Sequence, residues 1–328
     1  MKFGSVPVAD ALGAILAHSV VIAGGRLRKG QVLQADDLGL LMASGHDVVT
    51  VAQLGPGDVD EDHAAARLAA AIAGSGVRLT AAATGRVNVM AQGPGIARIA
   101  VAGINAVNAV NPMITVATVP PYHRVDRGTM IATIKIIAYG VPKADLAQAC
   151  AAGRDLLGVA PPQYKTATLI ETRFDDMPTV KGRDALRGRL DRLAMVLDDR
   201  VVVAHAVTDL ADAIGQATGD VVFVLTASAT SDAADVGPAA LCRAGGRLTQ
   251  FGMPVDPGNL LFLGYLGAKP VIGLPGCARS LALNGADWVL ERVICGMELT
   301  PADFALMGVG GLLKEIPTRP RPRADVGG

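Results

Sequence analysis

Two runs in the second half of the chain are too apolar to be half exposed: RVVVAHAV and, a few residues on, DVVFVL. A strand that alternates apolar and polar side chains keeps one face in water. A strand that does not alternate must be covered on both faces, which is the habit of parallel sheets flanked by helices. The surrounding pattern agrees. KTATLIET reads as a strand. GRDALRGRLDRLAMVL reads as a helix with Ala185, Leu186, Leu190, Leu193 and Ala194 as its apolar residues. RVVVAHAV is a strand, TDLADAIGQA a helix, DVVFVLTASA a strand, and DVGPAALCRAGG a helix whose Pro238 suits a first turn. Strand–helix alternation predicts an α/β fold, a three-layer αβα domain on a mostly parallel sheet over residues 161–315.

Smaller modules precede it. Residues 1–75 read as a mixed module: VADALGAILAHSVV as helix then strand, and a short helix capped by Asp36 or Asp37 and ended by Gly45. A strand follows at 48–51, then an Ala-rich helix behind the acidic start GPGDVDEDH. Residues 76–160 read as β-rich, with VRLTAAATGRVNVMA, IARIAVAGINAVNAV, ITVATV and TMIATIKIIAYGV as strands before a connecting helix. VAPPQY marks a boundary near 160, and residues 316–328 form a Pro/Arg-rich tail.

Composition narrows the function. Lys+Arg and Asp+Glu are 30 each, so no large basic footprint for nucleic acid is expected. The four cysteines are far apart with no CxxC, which fits reduced thiols in a cytoplasmic protein. The N-terminus does not read as a signal peptide. The best apolar run, 99–119, is interrupted by Gly, Asn and Pro, so no membrane span is expected. The histidines lack zinc spacing, and no P-loop or GxGxxG follows a strand.

In an open α/β sheet, ligands bind beyond the carboxyl ends of the strands. That predicts sites in the loops after Val207, Leu225 and Gly273. After Leu225 comes TASATSDAADVGPAA, where Thr226, Ser228, Thr230 and Ser231 offer hydroxyls. Backbone amides near the next helix can receive an anion there. The plainer role is a Ser/Thr-rich turn capped by Asp232 or Asp235. FGMPVDPGNLLFLG contributes Asp256, Gly258 and Asn259; VIGLPGCARS contributes Pro275, Gly276, Cys277 and Arg279. Pro-Gly there forces a tight backbone that a ligand can approach, or simply makes a turn. Cys277 is either a soft ligand or a small filler. Asp209 is a second acidic group or a helix-start acid. His205, inside an apolar run, fits a hydrogen-bonded core residue better than a ligand.

Thr226 to Ala240 resembles the signature of the molybdopterin adenylyltransferases, the gephyrin-type proteins and the molybdopterin molybdenumtransferases. Their pattern is Thr-Gly-Gly-Thr-Gly, three variable residues, then Arg-Asp-Val-Thr-Pro-Glu-Ala. Thr226, Asp235, Val236, Pro238 and Ala240 match it without a gap. MPVDPGNLLFLG and VIGLPG resemble the paired Pro-Gly loops of the molybdenumtransferases. GRDALRGRLDRL, GCARS, NGADWVLERV and TGRVNV resemble bacterial molybdopterin-binding proteins fused to a nucleotidyltransferase. The resemblance implies molybdopterin as ligand, in cofactor biosynthesis or handover. It also implies a nucleotidyltransferase partner, Asp235 near Mg²⁺ and phosphates, and a homo-oligomer. Two functions follow from it: a carrier, or a transferase that works with Mg²⁺ at the pterin phosphate, with Asp235 and Asp209 as its acidic groups. Ala227, Ser228 and Thr230 replace the family's glycines and Ala234 its Arg, which favours the carrier.

Overall fold

The computed structural model describes residues 1–313. The chain divides into two compact units, residues 1–160 and residues from 161 onward. The Pro/Arg-rich tail expected over 316–328, and the last two residues of the domain expected over 161–315, lie outside the described residues.

The first unit holds two apolar clusters. One gathers Val8, Leu16, Leu33, Leu41 and Val51. It lies on an antiparallel sheet in the order Lys2–Pro7, Val48–Gln53, Ile15–Leu16. The helix expected at the start of VADALGAILAHSVV is only the 3-10 turn Val8–Asp10, which follows a strand, Lys2–Pro7, paired with Val48–Gln53. Helix Ala35–Ala43 starts where Asp37 accepts the Gln34 amide at 2.9 Å and stops before Gly45, at φ +81°.

The second cluster joins Ala65, Leu68 and Ile72 of helix Glu61–Ile72 to Val87, Val89 and Ile134. These strand residues belong to an antiparallel sheet ordered Ile114–Thr118, Met130–Ile136, Arg86–Ala91, Val77–Leu79. The helix read as closing the first module thus buries its apolar face in the β-rich one. IARIAVAGINAVNAV is not one strand either. Gly95–Ile99 is a strand and Val101–Val110 a helix. Its apolar residues do not alternate, and Ile104 and Val107, three apart, form one buried face. Asn108 fastens that helix by exchanging two hydrogen bonds with the backbone of Val116, at 2.8 and 3.0 Å.

The second unit is the expected α/β domain. Its seven-stranded sheet runs Val196–Leu197, Thr166–Arg173, Val221–Leu225, Lys269–Gly273, Phe262–Leu266, Arg247–Phe251, and Val201–Ala204 extends the first edge beside Thr166–Arg173. Pairing is parallel from the Val196 edge to Lys269–Gly273 and antiparallel beyond. One face packs Ile170, Val222, Val224, Val271 and Phe262 against Leu210, Ile214, Ala240 and Leu241 of helices Val207–Gln216 and Val236–Arg243. On the other face, Gly182 of helix Lys181–Asp191 sits so close to Leu225 that an added Cβ would collide with it. Two sequence expectations were too long. The helix 182–197 ends at Asp191, because Ala194 turns left-handed (φ +55°) and Val196 pairs with Thr166. The strand over RVVVAHAV ends at Ala204, which leaves His205 past its carboxyl end. After Thr166–Arg173 the chain moves to one side of that strand, and after helix Val207–Gln216 to the other. The carboxyl ends of Thr166–Arg173 and Val221–Leu225 therefore flank a topological switch point.

Candidate functional site at the carboxyl end of the sheet

The loop leaving Val221–Leu225 is fixed at both ends. The Ala227 amide donates to Thr172 Oγ at 2.8 Å. At the far end Asp235 caps helix Val236–Arg243, with one carboxylate oxygen accepting the Val236 amide at 2.7 Å and the other the Ser231 amide at 3.0 Å. Between these anchors, the amides of Ser228, Ala229 and Thr230 have no hydrogen-bond partner among the described residues. Ser228 and Ala229 are exposed. Consecutive unpaired amides at the head of a helix form a concave donor for an anion. Neither Ala227 nor Ser228 adopts a positive φ, so the loop has settled into a form that side chains allow.

The third loop touches the first, and the second packs on the helix start that follows the third. Arg279 Nη2 donates to the Thr226 carbonyl at 2.9 Å. The Gly285 amide donates to the Pro257 carbonyl at 2.8 Å, and Gly258 (φ +129°) lies so close to Gly285 that no Cβ would fit. The third loop has a buried support that the sequence reading missed. Arg189 Nε donates to Asp287 at 2.7 Å with both groups nearly inaccessible, and its other nitrogens reach the carbonyls of Ala278, Ser280 and Ala282 at 3.0, 2.8 and 3.3 Å. The signal was present, since Arg189 occupies the same stripe of its helix as the buried Ala185, Leu186 and Leu190. Glu171, buried beneath the switch point, pairs with Arg200 at 2.8 Å.

The predicted site residues divide accordingly. Ser228 and Ser231 are exposed on the loop. Thr226 and Thr230 do not offer their hydroxyls, being 7% exposed and turned to each other at 3.4 Å. Asp256 holds the chain near Leu313, its amide donating to the Gly311 carbonyl and its carbonyl accepting the Leu313 amide. Asn259 and Gly276 are exposed, while Gly258 and Pro275 are buried backbone supports. Cys277 is exposed; burial chiefly pushes its thiol above the usual range, with Asp256 and Asp287 adding to this and Arg189 opposing. A protonated thiol is a poor metal ligand. Asp209 does not join the cluster. It lies in the first turn of helix Val207–Gln216 and lines a cavity of about 940 Å³ along the edge strand with Asp198, Asp199 and Asp212. Four carboxylates repel an anion, so that cavity is not the site for a phosphate.

Asp235 is held below the ordinary carboxylate range, above all by the Ser231 amide. Burial opposes this; the Val236 amide and the charge of His205 reinforce it. His205, discounted from sequence, stands at the switch point. Its Nδ1 is 2.8 Å from Thr172 Oγ, and Phe174 meets its ring edge-on at 4.8 Å. The donor set does not suit a protein-held Mg²⁺. Both Asp235 oxygens serve the cap, and no group of three His, Cys, Asp or Glu among the described residues could hold a metal.

A family model described as a domain of unknown function (DUF8806) matches residues 5–53, the part of the chain that forms the first apolar cluster. No curated protein matches the chain. Among solved structures, the chain is similar to the molybdopterin biosynthesis MoeA protein from Pyrococcus horikosii, at 15% identity and a TM-score of 0.30, over 89% of this chain and 75% of that one. A TM-score that low assigns nothing to individual residues here. Among the described residues, no helix is long and apolar enough to cross a membrane.

Proposed function

We propose that the α/β unit binds molybdopterin through its phosphate at the carboxyl end of the sheet, and that the chain acts as a carrier in molybdenum cofactor biosynthesis or handover. The carrying observation is the run of unpaired amides at Ser228, Ala229 and Thr230, set between the Thr172 and Asp235 anchors. It falls within the segment whose Thr226, Asp235, Val236, Pro238 and Ala240 match the molybdopterin signature. Three amides suit one phosphate group; a triphosphate needs more donors, and the Ala227 amide is already taken. In this reading Arg279, Asn259 and Cys277 are the residues that contact the pterin. A nucleotidyltransferase is the partner that such a carrier would serve, and a homo-oligomer is its proposed state.

One observation favours the transferase reading: Asp235 stays ionised. Pyrophosphate or AMP release from nucleotide plus molybdopterin would support it. The carrier reading is tested by mass spectrometry of small molecules released from the purified protein. Molybdopterin or its metal-loaded form is expected. A protein expressed in a cofactor-competent host that carries no pterin, and takes none up, would contradict the proposal.

A further inference from the structure

The Thr172 hydroxyl fixes which nitrogen of His205 carries a proton. A threonine hydroxyl has one proton to donate and lone pairs to accept with. Thr172 Oγ accepts the Ala227 amide at 2.8 Å, and its other neighbour is His205 Nδ1, also at 2.8 Å. Thr172 is 1% exposed, so water does not take its proton. If Nδ1 carried a proton, both neighbours of Oγ would be donors and the buried O–H would have no acceptor. The arrangement is satisfied when Thr172 donates to Nδ1, which leaves the hydrogen of the neutral ring on Nε2. The His205 amide is bonded to the Arg173 carbonyl at 2.7 Å, and Phe174 packs against the ring at 4.8 Å. Register sets this up: Arg173 pairs with Ala204, so the residue after the edge strand arrives beside Thr172.

We infer that His205 is a ligand-contacting residue, locked as the Nε2–H tautomer and presenting that N–H to an oxyanion, a phosphate monoester, held by the Ser228–Thr230 amides. Its location supports this. His205 follows the carboxyl end of Val201–Ala204 and is bonded to the same hydroxyl that anchors the Ala227 end of the loop. One hydroxyl thus joins the two halves of the site, since Thr172 positions the Ala227 end of the loop and the imidazole together. The tautomer stands without any ligand; the contact with phosphate rests on the proposed function.

The test is long-range nitrogen–proton correlation spectroscopy of the His205 ring in the whole chain, recorded at alkaline pH on the neutral ring. Nε2 is expected to be protonated and Nδ1 unprotonated in the wild type, and the two forms should mix in Thr172→Val. A protonated Nδ1 in the wild type overturns the inference. Inorganic phosphate is then titrated while the Nε2 resonance and the amides of Ser228, Ala229 and Thr230 are followed. The inference expects both to move together, and His205→Ala to weaken phosphate binding about 3- to 10-fold, with partial rescue by His205→Gln. Moving amides with a stationary Nε2 would overturn the His205 contact and leave the proposed site standing. If neither moves, both fall. If Thr172→Val is too unstable to study, the wild-type tautomer and the two His205 variants still decide.

Discussion

Arg279 reaches across from the third loop and donates to the carbonyl of Thr226, the first residue after the central strand, at 2.9 Å. By this bond the loop after Lys269–Gly273 holds the loop after Val221–Leu225, and two segments about fifty residues apart act as one wall. The Arg279→Ala variant should weaken binding of a phosphate-bearing pterin about 3- to 10-fold, the worth of one such bond, and Arg279→Lys should recover little of the loss. Calorimetric titration checks this. Unchanged affinity in Arg279→Ala would show that the wall does not shape the ligand site.

The buried pair Arg189–Asp287 should behave as a structural unit. Replacing Asp287 by Ala strands a guanidinium that is 2% exposed, and the expected loss is about 3–5 kcal/mol by denaturant unfolding. The double variant Arg189→Met, Asp287→Leu removes both charges and should recover part of that loss. Recovery will be incomplete, because Asp287 also accepts the Asn284 amide and Arg189 bonds three carbonyls of the 278–282 segment. A single-variant loss below about 1 kcal/mol would mean that the pair is not buried as described.

Asp235 sets a pH window. Its folded pKa lies below the ordinary 3.8, so its stabilising effect is fully present above the unfolded value and is lost as pH falls through the folded one. Asp235→Ala should therefore cost about 0.5–2 kcal/mol at neutral pH, the usual worth of a helix cap, and progressively less below about pH 4. Denaturation of both proteins across that range checks the sign. A cost that grew on acidification would contradict it.

The sheet was legible because VVFVL is apolar on both faces, and it is buried throughout; the run before it, read the same way, is instead the half-buried edge strand Val201–Ala204. The position of the loops followed from strand direction alone. The roles inside the loops did not follow. Thr226 and Thr230 look like ligand hydroxyls in sequence, yet the loop after the central strand buries both, and they face each other. His205 was discounted because it reads as lying inside an apolar strand. The strand stops one residue before it, and the partner that orients it, Thr172, is brought there by register between strands about thirty residues apart. Helix Val101–Val110 was hidden for a different reason. Its Ala/Val composition suits either element, and the Asn108 bonds that hold it against Ile114–Thr118 are tertiary.

The central claim is that residues 228–230 hold one phosphate of molybdopterin without holding a nucleotide. Calorimetric titration of the purified chain with molybdopterin, and separately with ATP and Mg²⁺, tests it most directly. The account predicts saturable molybdopterin binding that is lost in a variant with Ser228→Pro and Ala229→Pro, which deletes two of the three amides, and little or no ATP binding. Tight ATP binding with Mg²⁺ at this loop, or molybdopterin binding unaffected by the double proline variant, would contradict it.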